Sequence, residues 1–162
     1  MDARVGLLSD SHGRAERTAR AVDALVAEGA ETLIHAGDVE TDEVLDCLAG
    51  HNAHVVWGNC DWDRADLERY ARTLGIAAHG DAGEVSIAGT RIAFTHGHLP
   101  GAIRAAMASG AKYLIHGHTH ERRDEVVDGV RIINPGALHR ASPFTVAVLT
   151  PGTGELKTIE VR

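Results

Sequence analysis

Two histidines close the run Tyr113-Leu114-Ile115-His116-Gly117-His118-Thr119-His120, two residues apart and just past a glycine that stops an apolar stretch. In extended backbone the side chains of residues i and i+2 project to the same side. His118 and His120 can therefore hold one cation, or two neighbouring cations, without a helix. The construction recurs. Other apolar runs end in Ser9-Asp10-Ser11-His12, in Gly37-Asp38, in Gly58-Asn59-Cys60-Asp61 and in Thr95-His96-Gly97-His98. Between them they offer the carboxylates of Asp10 and Asp38, the amide oxygen of Asn59 and several imidazoles. Such a set needs no thiolate and suits manganese, iron, zinc, nickel or cobalt rather than magnesium or calcium. It exceeds the four ligands of one tetrahedral ion, so two ions fit better than one, with a carboxylate as the natural bridge.

Each cluster also has a plainer reading. Asp10 and Ser11 suit a helix N-cap, and Gly37-Asp38 and Gly58-Asn59 are turn signals. The recurrence decides between the two, because ligands of open α/β sheets bind beyond the carboxyl ends of the strands. The remaining histidines are kept apart from the ligands. His35 and His116 lie inside apolar runs and are expected to support ligands rather than bind metal. His51 and His54 are expected to be solvated, and His79 and His139 to be loop residues outside the chemistry. Cys60 is read as a thiol facing the cleft, with its neighbour Asn59 the better ligand.

The elements that must position these residues alternate in the first half. Val5–Leu8, Thr32–His35 and Ala53–Trp57 read as buried strands. Arg14 to Glu28 reads as a helix with Ala15, Ala19, Val22 and Val26 on one face and Gly29 as its stop. Shorter helices are expected from Thr41 towards Gly50 and over Asp63 to Leu74. This alternation predicts a parallel sheet with crossover helices. The second half is rich in hairpins. Glu84–Ile87 and Arg91–Thr95 flank Ala88-Gly89-Thr90, Glu125–Val127 and Val130–Ile133 flank Asp128-Gly129, and Phe144–Leu149 and Leu156–Val161 flank Pro151-Gly152-Thr153-Gly154. A helix over Pro100–Ser109 and the strand Tyr113–His116 complete it. Two sheets packed face to face, with helices outside, is the simplest arrangement.

At 162 residues the chain can bury a core without staples. Aromatics make up 4%, so that core must be built from Val, Ile, Leu and Ala. A formal charge of −7, from 23 acids against 16 bases, argues against broad nucleic-acid or anionic-membrane binding while leaving room for an anionic substrate at a local positive site. Cys47 and Cys60 are too few for a disulfide framework. Nothing resembles a signal peptide, and no run approaches the roughly 20 apolar residues of a membrane span. The expectation is a cytoplasmic protein, with a homo-oligomer left open.

The series Asp10-x-His12, Gly37-Asp38, Gly58-Asn59-Cys60-Asp61, Thr95-His96-Gly97-His98 and Gly117-His118-Thr119-His120 resembles the calcineurin-like metallophosphoesterase superfamily. The Gly-Asn-Cys-Asp and Ile133-Asn134-Pro135-Gly136 segments resemble its small single-domain YfcE-like branch, which also includes the retromer scaffold subunit. The resemblance spans essentially the whole chain. It implies an α/β fold forming one domain over residues 1–162, a four-layer α-β-β-α sandwich of two packed mixed sheets flanked by helices. A dimetal site lies at the carboxyl ends of the strands. By motif, Asp10, His12 and His120 hold one ion and Asn59, His96 and His118 the other, with Asp38 bridging. Spacing alone does not choose between His96 and His98; the family pattern favours His96 and leaves His98, Asn59 and Cys60 near the substrate.

The activity this implies is hydrolysis of small phosphodiesters by in-line attack of a metal-bridging hydroxide. The cofactor is two divalent ions per chain, manganese ahead of nickel, cobalt, iron and zinc. Phosphomonoester hydrolysis on the same site is the near alternative, and a retromer-like interaction module the distant one. Two departures matter. Many members carry histidine where this chain has Cys60, paired with an acid at the position of Asp61, to protonate the leaving group. A thiol, with an unperturbed pKa of about 8.5, serves that task less well. Ala137 stands where the branch usually has serine.

Overall fold

In a computed structural model describing residues 2–162, eleven strands form two sheets with four helices outside them. The first sheet contains β1 (Val5–Leu8), β2 (Thr32–His35), β3 (Asn52–Val55), β4 (Ala77–Ala78), β10 (Phe144–Thr150) and β11 (Glu155–Val161), in the order β11-β10-β1-β2-β3-β4. The second contains β5 (Ala82–Ile87), β6 (Thr90–Thr95), β7 (Tyr113–Ile115), β8 (Arg123–Val127) and β9 (Val130–Asn134), in the order β5-β6-β7-β9-β8. Both are mixed. β1, β2, β3 and β4 run parallel, as do β6, β7 and β9, and the three hairpins add the antiparallel strands.

Strand alternation divides the apolar residues among three layers of packing. Val5 and Leu7 of β1 and Ile34 of β2 face Ile92, Phe94, Tyr113, Ile115 and Ile133 of the other sheet. Leu8, Leu33 and Val55 point the opposite way, onto α1 (Ala15–Ala27), α2 (Asp42–Asp46) and α3 (Arg64–Thr73). Ala93, Leu114 and Ile132 meet Ile103, Ala106 and Met107 of α4 (Pro100–Ala108). Three interfaces between four layers confirm the expected α-β-β-α sandwich.

The face of α1 differs from expectation. Its buried residues are Thr18, Ala21, Val22 and Leu25, whereas Ala19 and Val26 are exposed. The stripe through Ala15 and Ala19 loses because Leu25 must seat on β1. There Gly6 leaves the space: a Cβ at Gly6 would lie 2.7 Å from Leu33 and 3.1 Å from Leu25. Strand β4 was not anticipated, since two alanines carry no periodicity. His54 is not solvated either. Its Nδ1 lies 2.9 Å from His79 Nε2, and the His79 ring packs edge-on to Phe94.

The loops that matter here follow β1, β2, β3, β6 and β7, and parallel pairing brings those strand ends together. Asp10 N–H donates to the Gly37 carbonyl at 3.0 Å, and Gly117 N–H to the His96 carbonyl at 2.9 Å. Leu25, fully buried between α1 and β1, tests the outer layer. Leu25→Ala is expected to destabilise the fold by about 2–5 kcal/mol, read as a lower denaturant midpoint at unchanged slope.

Candidate metal centre

Asp10 and Asp38 are buried, 0% and 2% exposed, with no lysine or arginine beside either carboxylate among the described residues. The protein occupies one oxygen of each. Asp10 Oδ2 accepts from Ser9 Oγ at 2.7 Å and from His118 N–H at 3.1 Å, and Asp38 Oδ1 accepts from Cys60 N–H at 2.9 Å. The other oxygens face imidazoles. Asp10 Oδ1 lies 3.3 Å from His120 Nε2, 3.7 Å from His12 Nε2 and 3.8 Å from His96 Nε2. Asp38 Oδ2 lies 3.4 Å from His12 Nε2 and 3.1 Å from His96 Nε2.

The tautomers show what these atoms await. His96 Nδ1–H donates to the Ala36 carbonyl at 2.7 Å, and His12 Nδ1–H donates to Glu40 Oε1 at 3.1 Å. In the neutral ring the proton is then spent, so each Nε2 presents a lone pair to the carboxylates. His12 Nε2 also lies 3.3 Å from His120 Nε2. Lone pairs converging on carboxylate oxygens repel one another unless a cation sits between them. Asp10 Oδ1 and His96 Nε2 are indeed buried without a hydrogen-bond partner. Asp10, His12 and His120 make one group able to hold a metal ion, and Asp10, Asp38 and His96 another. This donor set of carboxylate, imidazole and amide fits divalent transition metals.

Every ligand expected from the sequence reaches this place. Asn59 Oδ1 is 3.1 Å from His118 Nδ1, and the His118 ring packs against that of His96 at 5.2 Å. His118 and His120 do not share a direction, however. The backbone there is not extended, with φ of 71° and 61°, so His118 turns to Asn59 and His120 to Asp10. Among the described residues, nine non-glycine residues have positive φ, and Asp10, His12, Asp38, Glu40, His118 and His120 are six of them. Such strain concentrates at functional sites. His98 lies beyond His96, its ring 6.1 Å from that of His118, and burial, then the neighbouring His96 and His118, keeps it below the ordinary imidazole pKa.

Asp61 differs from a proton relay. It is buried, and its carboxylate accepts N–H bonds from Asp38 at 3.0 Å, Glu40 at 2.8 Å and Gly58 at 2.7 Å. Its geometry ties the β2 and β3 loops together. Cys60 is no thiolate: burial and then the charges of Asp38, Glu40 and Asp61 push its thiol up to about 11. Ala137 is fully buried.

Sequence reasoning missed three contributors. Glu40 orients His12, yet an acid two residues after Asp38 looks like solvated turn chemistry. Asn134 donates to the Gly117 carbonyl at 3.2 Å and Thr119 Oγ1 at 3.1 Å, bracing the turn that carries His118 and His120. His139 packs its ring 4.9 Å from that of His12, although it was expected to stand outside the chemistry. His35 behaves as expected. It is buried, held neutral with a pKa near 4, accepts from Gly37 N–H at 3.2 Å and sits 2.8 Å from Ser11 Oγ.

The sequence profile of the calcineurin-like phosphoesterase superfamily domain matches residues 3–154. The chain belongs to this superfamily. It is 33% identical over 137 residues to the phosphodiesterase MJ0936 of Methanocaldococcus jannaschii, covering 82% of each chain. It is 27% identical over 149 residues to the phosphodiesterase YfcE of Escherichia coli, covering 80% of this chain and 76% of that one. The solved structure of an archaeal phosphodiesterase superposes with a TM-score of 0.87 at 29% identity, over 98% of this chain and 99% of the other. These findings establish a metallophosphoesterase fold with a centre for divalent metal.

Two expectations follow. A Cβ at Gly58 would lie 2.1 Å from Asp38 Oδ1, so Gly58→Ala should abolish high-affinity metal uptake in calorimetric titration while the fold survives by circular dichroism. The second concerns pH. The carboxylate of Asp10, then Glu40 and Asp38, outweigh burial and raise His12 from 6.5 to about 9. A raised folded-state pKa stabilises fully below the unfolded value and is lost as pH rises through the folded one. The metal-free protein should therefore lose thermal stability between pH 6.5 and about 9. Saturating divalent metal should remove that loss, because cations then replace the protons.

Proposed function

We propose that the chain is a divalent-metal-dependent phosphodiesterase acting on small phosphodiesters, with manganese ahead of nickel, cobalt, iron and zinc. The observation that carries this is the pairing of Asp10 Oδ1 and His96 Nε2, buried polar atoms without a hydrogen-bond partner that lie 3.8 Å apart, as two ligands of one cation would. Asp10, His12 and His120 hold one ion and Asn59, His96 and His118 the other, with Asp38 Oδ2 shared because it faces both His12 and His96. In this reading His118 and His120 serve different ions. When bound, such a pair supplies Lewis acidity towards phosphate oxygens and lowers the pKa of water for in-line attack.

The chain's own residues do the rest. Glu40 and the Ala36 carbonyl hold the protons of His12 and His96 on Nδ1, leaving each Nε2 free to ligate. Asn59 presents its amide at the cleft edge, where it can orient a phosphate as well as ligate. His98, beside His118, faces the substrate and is the imidazole placed to exchange a proton with it. Cys60, protonated throughout the neutral range, donates too weakly to a poor leaving group, so activated esters should be cleaved fastest. Asp61 serves by holding the loops.

Diesters are favoured over monoesters because Asn59 and His118 are exposed and the surrounding connections are short, leaving room for two ester arms. A purely scaffolding role gives no reason for strain and unpaired buried polar atoms at a complete candidate ligand set. No helix among the described residues is long and apolar enough to cross a membrane. The free thiols of Cys47 and Cys60 fit a reducing cytoplasm.

The test is reconstitution. Protein stripped with chelator should be inactive on bis(p-nitrophenyl) phosphate and regain turnover with Mn²⁺, binding two ions per chain. Asp38→Ala should lower kcat/KM by more than about 100-fold, since loss of groups that merely orient ligands already costs 10–100-fold. Failure of manganese, nickel, cobalt, iron and zinc alike to restore activity would overturn the reading.

A further inference from the structure

The protein is acidic overall, and seven of its 16 basic side chains sit against carboxylates. Arg64, Arg69, Arg72, Arg91, Arg123, Arg131 and Lys157 each have one within 4.0 Å. Arg14, Arg122 and Arg140 are among those with none among the described residues, and these three lie on one flank of the metal centre. Arg14 follows His12 by two residues, and its Nε–H donates to His139 Nδ1 at 3.4 Å. The His139 ring stands 4.9 Å from the His12 ring and 6.4 Å from the His120 ring. Arg140 is held in the left-handed region, with φ 45°, directly after His139.

The loop that carries these groups is fastened from behind. Arg17 donates to the Leu138 carbonyl at 2.6 Å and lays its guanidinium over Phe144 at 3.6 Å. Burial, then the charges of Arg14 and Arg20, lower the pKa of Arg17, a sign of how crowded with cations this flank is. Against His120 opens a pocket of about 450 Å³, bordered by Thr119, Arg122, Arg140, Ser142 and Thr145, with Glu121 its one acid. Guanidinium groups without carboxylate partners, next to hydroxyl donors, are phosphate-binding chemistry. Nothing in the metal centre itself uses them.

The geometry points to a second anion subsite, formed by Arg140 and Arg122 in the pocket beside His120 with Arg14 and His139 adjoining it on the His12 side, that binds a phosphate group of the substrate beyond the scissile one. The preferred substrates would then be small phosphodiesters carrying an additional phosphate, held so that the diester lies over the metal centre. This deepens the phosphodiesterase reading and rests on it.

The experiment compares thymidine 5′-(p-nitrophenyl phosphate) with the same compound phosphorylated at the 3′ oxygen, using the manganese-loaded protein. The 3′-phosphate should lower KM roughly tenfold with kcat nearly unchanged, since charge-assisted contacts away from the reacting atoms contribute uniform binding. Arg14→Gln with Arg140→Gln should erase that difference and leave turnover of bis(p-nitrophenyl) phosphate as in the wild type. Arg122→Gln should weaken the preference in the same direction. A preference that survives the double variant, or a wild type that does not discriminate, overturns the subsite. Calorimetry of the metal-free protein with inorganic pyrophosphate separates the two readings. Saturable binding lost in the double variant supports the subsite even if every ester proves inert, an outcome that would sink the phosphodiesterase reading alone. Binding that is absent in the wild type, or unchanged in the double variant, overturns the subsite.

Discussion

Two buried carboxylates facing imidazole lone pairs are the constraint around which this structure is arranged. Asp10 and Asp38 lack any lysine or arginine partner, and ionised groups that deep are costly unless compensated. The protein resolves this in the metal-free state by borrowing protons. Burial alone would raise Asp10, but His12, His120 and His96 outweigh it and hold the carboxyl far below the usual range. The same exchange raises His12, His96 and His120. A site that draws protons onto three histidines above their ordinary pKa is one in which a dication competes well, because each ion replaces more than one proton.

Holding such a cluster demands backbone that is itself unfavourable. Positive φ at six side-chain-bearing residues costs on the order of 1 to 3 kcal/mol each. What offsets it is a set of hydrogen bonds from polar groups that never touch the cation. Asp61 gathers three N–H groups from two loops, Asn134 grips the 117–119 turn, and His35 accepts from Gly37 N–H. Close approach by glycine is part of the same economy. A Cβ at Gly117 would meet Ser9 Oγ at 1.9 Å and Asp10 Oδ2 at 2.5 Å. The Gly-His-Thr-His sequence therefore begins with glycine because Asp10 and Ser9 occupy the space.

The candidate ligands were legible in the sequence because metal binding restricts residue type, and because each one follows a strand whose apolar pattern is easily read. The layers were legible for a related reason: Val5 and Leu7 against Leu8, or Tyr113 and Ile115 against Leu114, display period-two burial directly. What escaped notice acts through position alone. Glu40 matters because a left-handed turn swings it onto His12 Nδ1, and no local pattern announces that. His139 matters because a loop 127 residues after His12 folds back upon it. On α1, the apolar stripe was read through Ala15, Ala19, Val22 and Val26, whereas the space left by Gly6 seats Leu25 and turns the buried face to Thr18, Ala21, Val22 and Leu25. Asp61, whose pairing with Cys60 suggested proton transfer, turns out to be occupied on both oxygens.

The distribution of positive charge then reaches from structure to specificity. Six of the fourteen arginines are neutralised by a neighbouring carboxylate, and exposed pairs of that kind add little stability. Arg14, Arg122 and Arg140 are among those without such a partner, and these three stand beside the buried carboxylates of the metal centre. With metal bound, Asp10 and Asp38 are screened and the flank presents a net positive field towards an entering anion. The proposed subsite would use such a field to capture and orient a phosphorylated substrate, since the attraction is local to that flank of an otherwise acidic protein.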